Sequence, residues 1–387
     1  MSKRVRPTCM FMCLAALAAA TPAVAQDHAH PAGDPARLGK VAFPVRCAPA
    51  VQDDFEVAVA MLHSFWFEAA YQAFGAIAQR DPQCAMAYWG SAITLMGNPM
   101  TRAAPPAASM EEGLAAAQRA QSLASAASHR EQMYIEAALA YYADDTTRDH
   151  ATRMRAMEDA FAALHETHPE DMEAAIFYAR TVVANAPPDD KTFAGQLRAA
   201  TIMQPLFDAH PEHPGLAHYL IHAYDAPQLA QRGSSAAFAY ADIAPSAPHA
   251  LHMPSHIFTR LGHWDESIAT NERSAQASPD PDAAVHPMDY MVYAYLQQGR
   301  DIEARAVVDR AEQDRSRFYD GLMGYNFVAM PARFALERSA WDEAAGLSVP
   351  TGVLPYVEAV TRFARAIGAA RSGDAEQAQA DVDALAA

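Results

Sequence analysis

Residues 263–269 read HWDESIA, and four other heptapeptides of the chain align with this stretch. They are APQLAQR at 226–232, RDIEARA at 300–306, AWDEAAG at 340–346 and DAEQAQA at 374–380. The fifth position of each heptapeptide is a small residue, and these residues are Ala230, Ser267, Ala304, Ala344 and Ala378. Their spacings of 37, 37, 40 and 34 residues indicate a repeated unit, because internal periods of about 20–50 residues are typical of repeat folds.

The sequence around the heptapeptides has the pattern of paired helices. Apolar residues recur at helical spacing on both sides of each turn, and Gly262, Gly299 and Gly373 stand where a glycine commonly ends a helix. The unit resembles the tetratricopeptide repeat, a helix–turn–helix of about 34 residues. This resemblance implies an all-α fold, a right-handed α-solenoid of helical hairpins over residues 51–387, with the first helices of the hairpins lining a concave groove.

Histidines are concentrated on two predicted first helices. His218 and His222 stand four residues apart, which places them on one face of a helix, and His249, His252 and His256 follow at spacings of three and four. Two histidines at i and i+4 present two nitrogens to one ion, so the pattern predicts a metal site for Zn, Cu or Fe. The predicted ligands are His218, His222, His252 and His256, with His249 and His286 as additional candidates. Pro254 interrupts the second helix, so His249 can face away from His256.

A second interpretation of the same histidines is a structural network, in which they pack between helices and no metal is held. Asp225 and Asp289 each follow a histidine by three residues, and each is either a metal-site carboxylate or a helix cap. The sequence has no H-E-x-x-H motif, phosphate loop or nucleophile elbow. It therefore identifies no catalytic residue and leaves enzymatic activity open.

The repeat pattern also predicts a partner-binding groove. Peptide partners dock on aromatic and polar side chains of a preformed groove, and the candidates on first helices are His63, Tyr219, Asp225, Asp289 and Tyr290. A net charge of −17 argues against nucleic acid and anionic membrane surfaces, because both select clustered Lys and Arg. The first function expected is therefore a scaffold for a protein or peptide partner, and the alternative is a metal-binding protein or metalloenzyme.

The N-terminus has the pattern of an exported protein. Residues 1–25 combine a basic start, a short apolar run and an Ala23-Val24-Ala25 cleavage site, which predicts a signal peptide. The run is shorter than the roughly 20 apolar residues needed to span a bilayer, so we expect no membrane insertion after cleavage. Residues 26–50 are predicted to be flexible and extended. In a periplasmic or secreted chain, Cys47 and Cys84 are expected to form a disulfide.

Two segments are similar to a group of exported bacterial tetratricopeptide-repeat proteins. Residues 213–223 read HPGLAHYLIHA and residues 252–262 read HMPSHIFTRLG, which match the paired HPG-x-x-HYxIHA and HMPxHIxxRxG segments of that group. The similarity covers about residues 210–280 and is generic elsewhere. It implies that His218, His222, His252 and His256 belong to one motif.

Overall fold

The protein is all-helical. The computed structural model describes residues 37–143, 147–278, 281–313 and 321–387. These residues form α-helices and short 3-10 helices, and they include no strand. No helix among them is long and apolar enough to cross a membrane. The predicted signal peptide at 1–25 lies outside the described residues.

The helices pair into successive hairpins, which confirms the predicted α-solenoid. The first helices are α1 (Gln52–His63), α3 (Ala85–Leu95), α5 (His129–Tyr142), α7 (Met172–Asn185), α9 (Pro214–Tyr224), α11 (Pro248–His252) with α12 (Pro254–Leu261), α14 (Pro281–Gln297), α16 (Gly321–Glu337) and α18 (Pro355–Ser372). The second helices are α2 (Phe67–Arg80), α4 (Ala107–Leu123), α6 (His150–Thr167), α8 (Ala194–Ala209), α10 (Ser234–Ile243), α13 (Trp264–Ala277), α15 (Asp301–Gln313), α17 (Trp341–Ala345) and α19 (Ala375–Ala386).

The small residues of the repeat lie where two helices of a hairpin pack closely. Ser267, Ala304 and Ala344 are fully buried in the first turn of α13, α15 and α17. Ala230 is also fully buried, but it lies in a short 3-10 helix, Ala230–Gly233, and not in the first turn of the second helix, because α10 begins only at Ser234. Ala378 on α19 is half-buried. The spacing of the small residues in the sequence therefore marks where the two helices of each hairpin pack together.

First helices also contact one another along the array. Contacts join α1 to α3, α3 to α5, α7 to α9, α9 to α12, α12 to α14, α14 to α16 and α16 to α18. A further contact joins α1 to α9, four hairpins later in the chain. The C-terminal end of α1 consequently meets the helix that carries His218 and His222.

An extended segment packs along the N-terminal ends of these first helices. The Phe43 side chain is fully buried, and its ring centroid lies 5.4 Å from that of Phe55, 5.6 Å from that of Trp89 and 4.8 Å from that of Tyr134. The backbone amide of Lys40 donates to the carbonyl of Glu212 at 2.9 Å. The described part of the segment 26–50, predicted to be flexible, is therefore fixed to the helices through buried Leu38 and Phe43, although most of its other side chains are exposed.

The predicted disulfide joins this segment to the second hairpin. Cys47 is bonded to Cys84, 37 residues later, at the start of α3. Cys84 is fully buried. The bond fixes the end of the extended segment beside the core aromatic rings.

Replacing both Cys47 and Cys84 with Ala should lower the free energy of unfolding by about 2–4 kcal/mol, because the cross-link restricts the unfolded chain. Urea denaturation of the oxidised wild type and the double variant at neutral pH measures this difference. Equal midpoints and equal slopes for the two proteins would contradict the expectation.

Candidate metal centre

The first group of histidines brings two hairpins together. His218 and His222 lie one turn apart on α9, and His249 comes from α11. The Nε2 atom of His218 lies 3.1 Å from Nε2 of His222 and 3.2 Å from Nε2 of His249. We call these three residues the first triad. Each offers one ring nitrogen, and all three nitrogens lie within 4.8 Å of one another.

The second group spans the next pair of hairpins. His252 ends α11, His256 lies in the first turn of α12, and His286 lies on α14. Nε2 of His252 is 3.0 Å from Nε2 of His256, and the ring centroids of His252 and His286 are 4.5 Å apart. We call these residues the second triad. Their ligand nitrogens also lie within 4.8 Å of one another.

The predicted four-histidine set is divided between the triads. The structure places His218 and His222 in one group and His252 and His256 in the other, and His249 and His286 each complete a group. The division falls within α11, because His249 meets His218 of α9 whereas His252 lies against His286 of α14. The triads adjoin, since the ring centroids of His222 and His256 are 6.3 Å apart and those of His249 and His252 are 6.0 Å apart.

Oxygen atoms behind the second triad fix where its ring hydrogens lie. Nδ1–H of His252 donates to Oδ1 of Asn271 at 2.7 Å. The Asn271 amide is itself oriented, because its Nδ2 donates to the carbonyl of Ser267 at 2.7 Å. Asn271 therefore presents oxygen to the imidazole, which requires the hydrogen of His252 on Nδ1.

The other two members of the second triad have the same arrangement. Nδ1–H of His256 donates to Oδ2 of Asp225 at 2.8 Å, and Nδ1–H of His286 donates to Oδ1 of Asn326 at 3.2 Å. The second oxygen of Asp225 accepts from Nε of Arg260 at 3.0 Å. With its hydrogen held on Nδ1, the imidazole of His252 points a bare Nε2 lone pair at Nε2 of His256, 3.0 Å away. A shared cation stabilises such an arrangement.

A proton on His252 or His286 is disfavoured at neutral pH. Burial, reinforced by neighbouring imidazoles, holds the pKa of His252 well below its usual value and lowers the pKa of His286 to about 4. The same causes hold the pKa values of His218 and His249 well below normal, and they lower the pKa of His222 to about 3. Neutral imidazoles are the form that binds metal ions.

The first triad is anchored from α1. Nδ1–H of His218 donates to the backbone carbonyl of His63 at 2.6 Å, so its Nε2 lone pair also faces the triad. His222 and His249 are half-buried, as are His256 and His286 of the second triad. Each triad therefore combines a buried, anchored imidazole with an accessible side.

A third group beneath the triads is fully hydrogen-bonded. Nε2 of His63 and Nε2 of His213 each lie 2.8 Å from a different carboxylate oxygen of Glu173. Nδ1 of His63 lies 3.1 Å from Oη of Tyr219, and Nδ1 of His213 accepts from the amide of Leu216 at 3.3 Å. Every ring nitrogen of His63 and His213 therefore has a hydrogen-bond partner, unlike the facing Nε2 atoms of the triads.

The carboxylate of this network is ionised despite its burial. The side chains of Glu173 and His63 are 0% exposed. Burial opposes ionisation of Glu173, but the adjacent His63 and His213 prevail and keep its pKa well below the usual range. Burial also lowers the pKa of His63. The network holds the end of α1, and with it the carbonyl that orients His218.

The residues predicted to line a partner groove lie within or beneath the histidine cluster. His63 and Tyr219 are fully buried and present no surface to a partner. Asp225 supports His256, and the Tyr290 ring centroid is 5.1 Å from those of both His252 and His256. Asp289 is 5% exposed and pairs with Arg333. Asn271 and Asn326 were not predicted from the sequence. The one sequence feature that could have indicated them is an uncharged polar residue on the buried face of a helix.

Comparisons with known proteins give similarity of fold only. No family model matches the chain, and no curated protein matches it. The human IFIT1 dimer with PPP-AAAA aligns over 86% of this chain and 72% of its own, with 15% identity and a TM-score of 0.47. The APC/C hetero-tetramer Cut9–Hcn1 aligns over 87% of this chain and 66% of its own, with 12% identity and a TM-score of 0.37. The P58(IPK) TPR domain aligns over 87% of this chain and 97% of its own, with 11% identity and a TM-score of 0.22.

The pKa shifts predict that acid destabilises the metal-free protein. Well above pH 6.5 the histidines with lowered pKa are neutral in both the folded and the unfolded protein. As the pH falls, they bind protons in the unfolded chain but not in the folded protein. Burial lowers the pKa of His222 to about 3 in the folded protein. The free energy of unfolding should therefore fall by on the order of 1–2 kcal/mol between pH 7 and pH 5 through this residue. Urea denaturation in EDTA at both pH values measures the loss.

His222→Gln removes the titrating group and should reduce this loss by about the same amount. His129→Gln is the matched control, because His129 is exposed and lies outside the triads. A His222→Gln variant with the full acid-induced loss would show that His222 does not cause it.

Proposed function

We propose that this protein binds two transition-metal ions, one in each histidine triad. The observation that carries the proposal is in the second triad, where Asn271, Asp225 and Asn326 accept the Nδ1 hydrogens of three imidazoles. Metal-ligating histidines almost always donate their second ring N–H to such an oxygen. The resulting bare Nε2 atoms of His252 and His256 lie 3.0 Å apart. Ligand nitrogens about 3.3 Å apart are expected around a tetrahedral ion with metal–nitrogen bonds near 2.0 Å.

The donor atoms limit the kinds of ion. Three neutral imidazoles favour zinc, copper or iron over calcium or magnesium, which prefer oxygen ligands. Three protein ligands leave a fourth position to water or to another molecule, as in catalytic zinc sites. The half-buried side of each triad gives access to that position.

The proposal includes export to the periplasm or the exterior. The leader pattern of residues 1–25 supports it, and so does the Cys47–Cys84 bond, because structural disulfides persist in oxidising compartments. A protein or peptide partner of the solenoid stays a prediction from the repeat pattern.

The experiment is metal loading of the purified protein. We expect two equivalents of zinc per chain after incubation, desalting and elemental analysis. His218→Ala with His222→Ala should retain one equivalent, His252→Ala with His256→Ala should retain one, and the fourfold variant should retain none. Each pair removes two of three ligands at one site and leaves the other triad complete.

A matched pair of histidines outside the triads provides the control. His129 and His168 also face each other, with Nδ1 of His129 3.4 Å from Nε2 of His168, but at the surface. His129→Ala with His168→Ala should retain both equivalents. Circular dichroism checks that every variant is folded. Absence of stoichiometric zinc, copper or iron in folded wild type, or retention of metal by the folded fourfold variant, contradicts the proposal.

A further inference from the structure

A buried arginine beside the first triad has no counter-ion in the part of the chain that the structure describes. Arg180 lies on α7, two turns after Glu173, and is 1% exposed. None of its three guanidinium nitrogens has a hydrogen-bond partner among the described residues. An isolated buried ion costs several kcal/mol, because the desolvation of its charge is not compensated. A guanidinium also stays protonated in proteins, so it does not escape this cost by losing its proton.

The environment of Arg180 is aromatic. Its Cζ atom lies 5.7 Å from the ring centroid of Phe177 and 5.9 Å from that of Phe65. Cation–π attraction offsets part of the desolvation, by about 2 kcal/mol in a buried setting, but it satisfies none of the five N–H donors. An unpaired guanidinium enclosed by aromatic rings is suited to a small ligand with an anionic group.

Phe65 connects this arginine to the first triad. Its ring centroid lies 4.4 Å from that of His218, 5.3 Å from that of His249 and 5.9 Å from that of His222. The guanidinium and the three imidazoles therefore have one ring as a common neighbour. A small molecule that displaces or flanks this ring can contact both.

The backbone of Phe65 is in an uncommon conformation. It has a φ of 52° in the short connection between α1 and α2. A bulky residue rarely adopts the left-handed region, and such residues are concentrated at ligand sites and switch segments, where surrounding contacts compensate the strain. This conformation puts the ring against the triad, at the point where a ligand shared with Arg180 would lie.

We propose that Arg180 binds the carboxylate of a small organic acid whose other end reaches the open position at the first triad. Arg is the side chain that matches a planar carboxylate with two parallel N–H···O bonds. The carboxylate supplies the counter-ion that the described chain does not. The contact with Arg180 stands independently, while the contact at the triad rests on the proposed metal site.

The test is the thermal stability of the zinc-loaded full protein with acetate, compared with acetamide and inorganic phosphate at matched ionic strength. Acetate should raise the Tm of the wild type in a concentration-dependent way, because a ligand that binds only the folded state stabilises it. Acetamide has the same shape without the charge and should leave the Tm unchanged. The Arg180→Met variant should need at least a tenfold higher acetate concentration for the same rise in Tm.

A second buried arginine provides the matched control. Arg153 on α6 is 5% exposed, but its Nη1 contacts Sδ of Met110 at 3.4 Å and its Cζ lies 5.0 Å from the Tyr141 ring centroid. Arg153→Met should keep the full acetate effect. Without any added anion, Arg180→Met should match or exceed the wild-type Tm, because the substitution removes an uncompensated charge.

The outcomes separate this inference from the proposed function. An absent acetate effect, or an equal effect in folded Arg180→Met, overturns the carboxylate site even where two equivalents of zinc are bound. Stabilisation by phosphate alone overturns the carboxylate as the ligand group. An Arg180-dependent acetate effect in a protein that binds no metal supports the arginine contact and overturns the contact at the triad.

Discussion

Oxygen atoms behind the imidazoles determine what the histidine cluster can do. Where Asn271 and Asn326 accept the Nδ1 hydrogens of His252 and His286, whose pKa values burial lowers, the opposite nitrogens of these two rings have no hydrogen left to share. Their lone pairs would repel one another without a cation between them. The third group contrasts with this, because the Glu173 carboxylate lies between His63 and His213 and satisfies both rings. Clusters of similar composition thus differ in their hydrogen bonding through the position of one acceptor.

The solenoid supplies the precision that such an arrangement needs. The first helices α9, α11–α12 and α14 follow one another in the array, and they contribute two, three and one imidazoles in that order. The contact between α1 and α9 adds the carbonyl of His63, which orients His218. His63 is held through both ring nitrogens by Glu173 and Tyr219, so this carbonyl is fixed by a buried network. Supporting contacts of this kind orient metal ligands and raise their basicity.

Much of the fold could be predicted from the sequence because it is periodic. Ser267, Ala304 and Ala344 recur where hairpin helices pack, and the structure buries all three. The division of the histidines was harder to predict, because it falls within α11, where His249 meets α9 and His252 meets α14. The supporting oxygens come from distant positions: Asn271 is 19 residues from His252. Asn271 meets His252 across their own hairpin, whereas Asp225 and Asn326 reach His256 and His286 from neighbouring hairpins, and no local spacing encodes these contacts.

Arg180 could not be predicted for a related reason. An arginine on an amphipathic helix normally reaches solvent, and nothing in the sequence around α7 indicates that this one is buried among aromatic rings. Its position follows from the curvature that brings α1 beside α7 and α9. The same curvature places Phe65 against the first triad.

X-ray diffraction from crystals of the zinc-loaded protein, with data collected on both sides of the zinc absorption edge, tests the central claim most directly. The account predicts one anomalous peak in each triad, about 2.0–2.1 Å from three Nε2 atoms, with the Nδ1 atoms of the second triad still facing their oxygens. Zinc ions bound to Nδ1 atoms of the triads would contradict the account. Zinc bound elsewhere, with both triads unchanged and empty, would also contradict it.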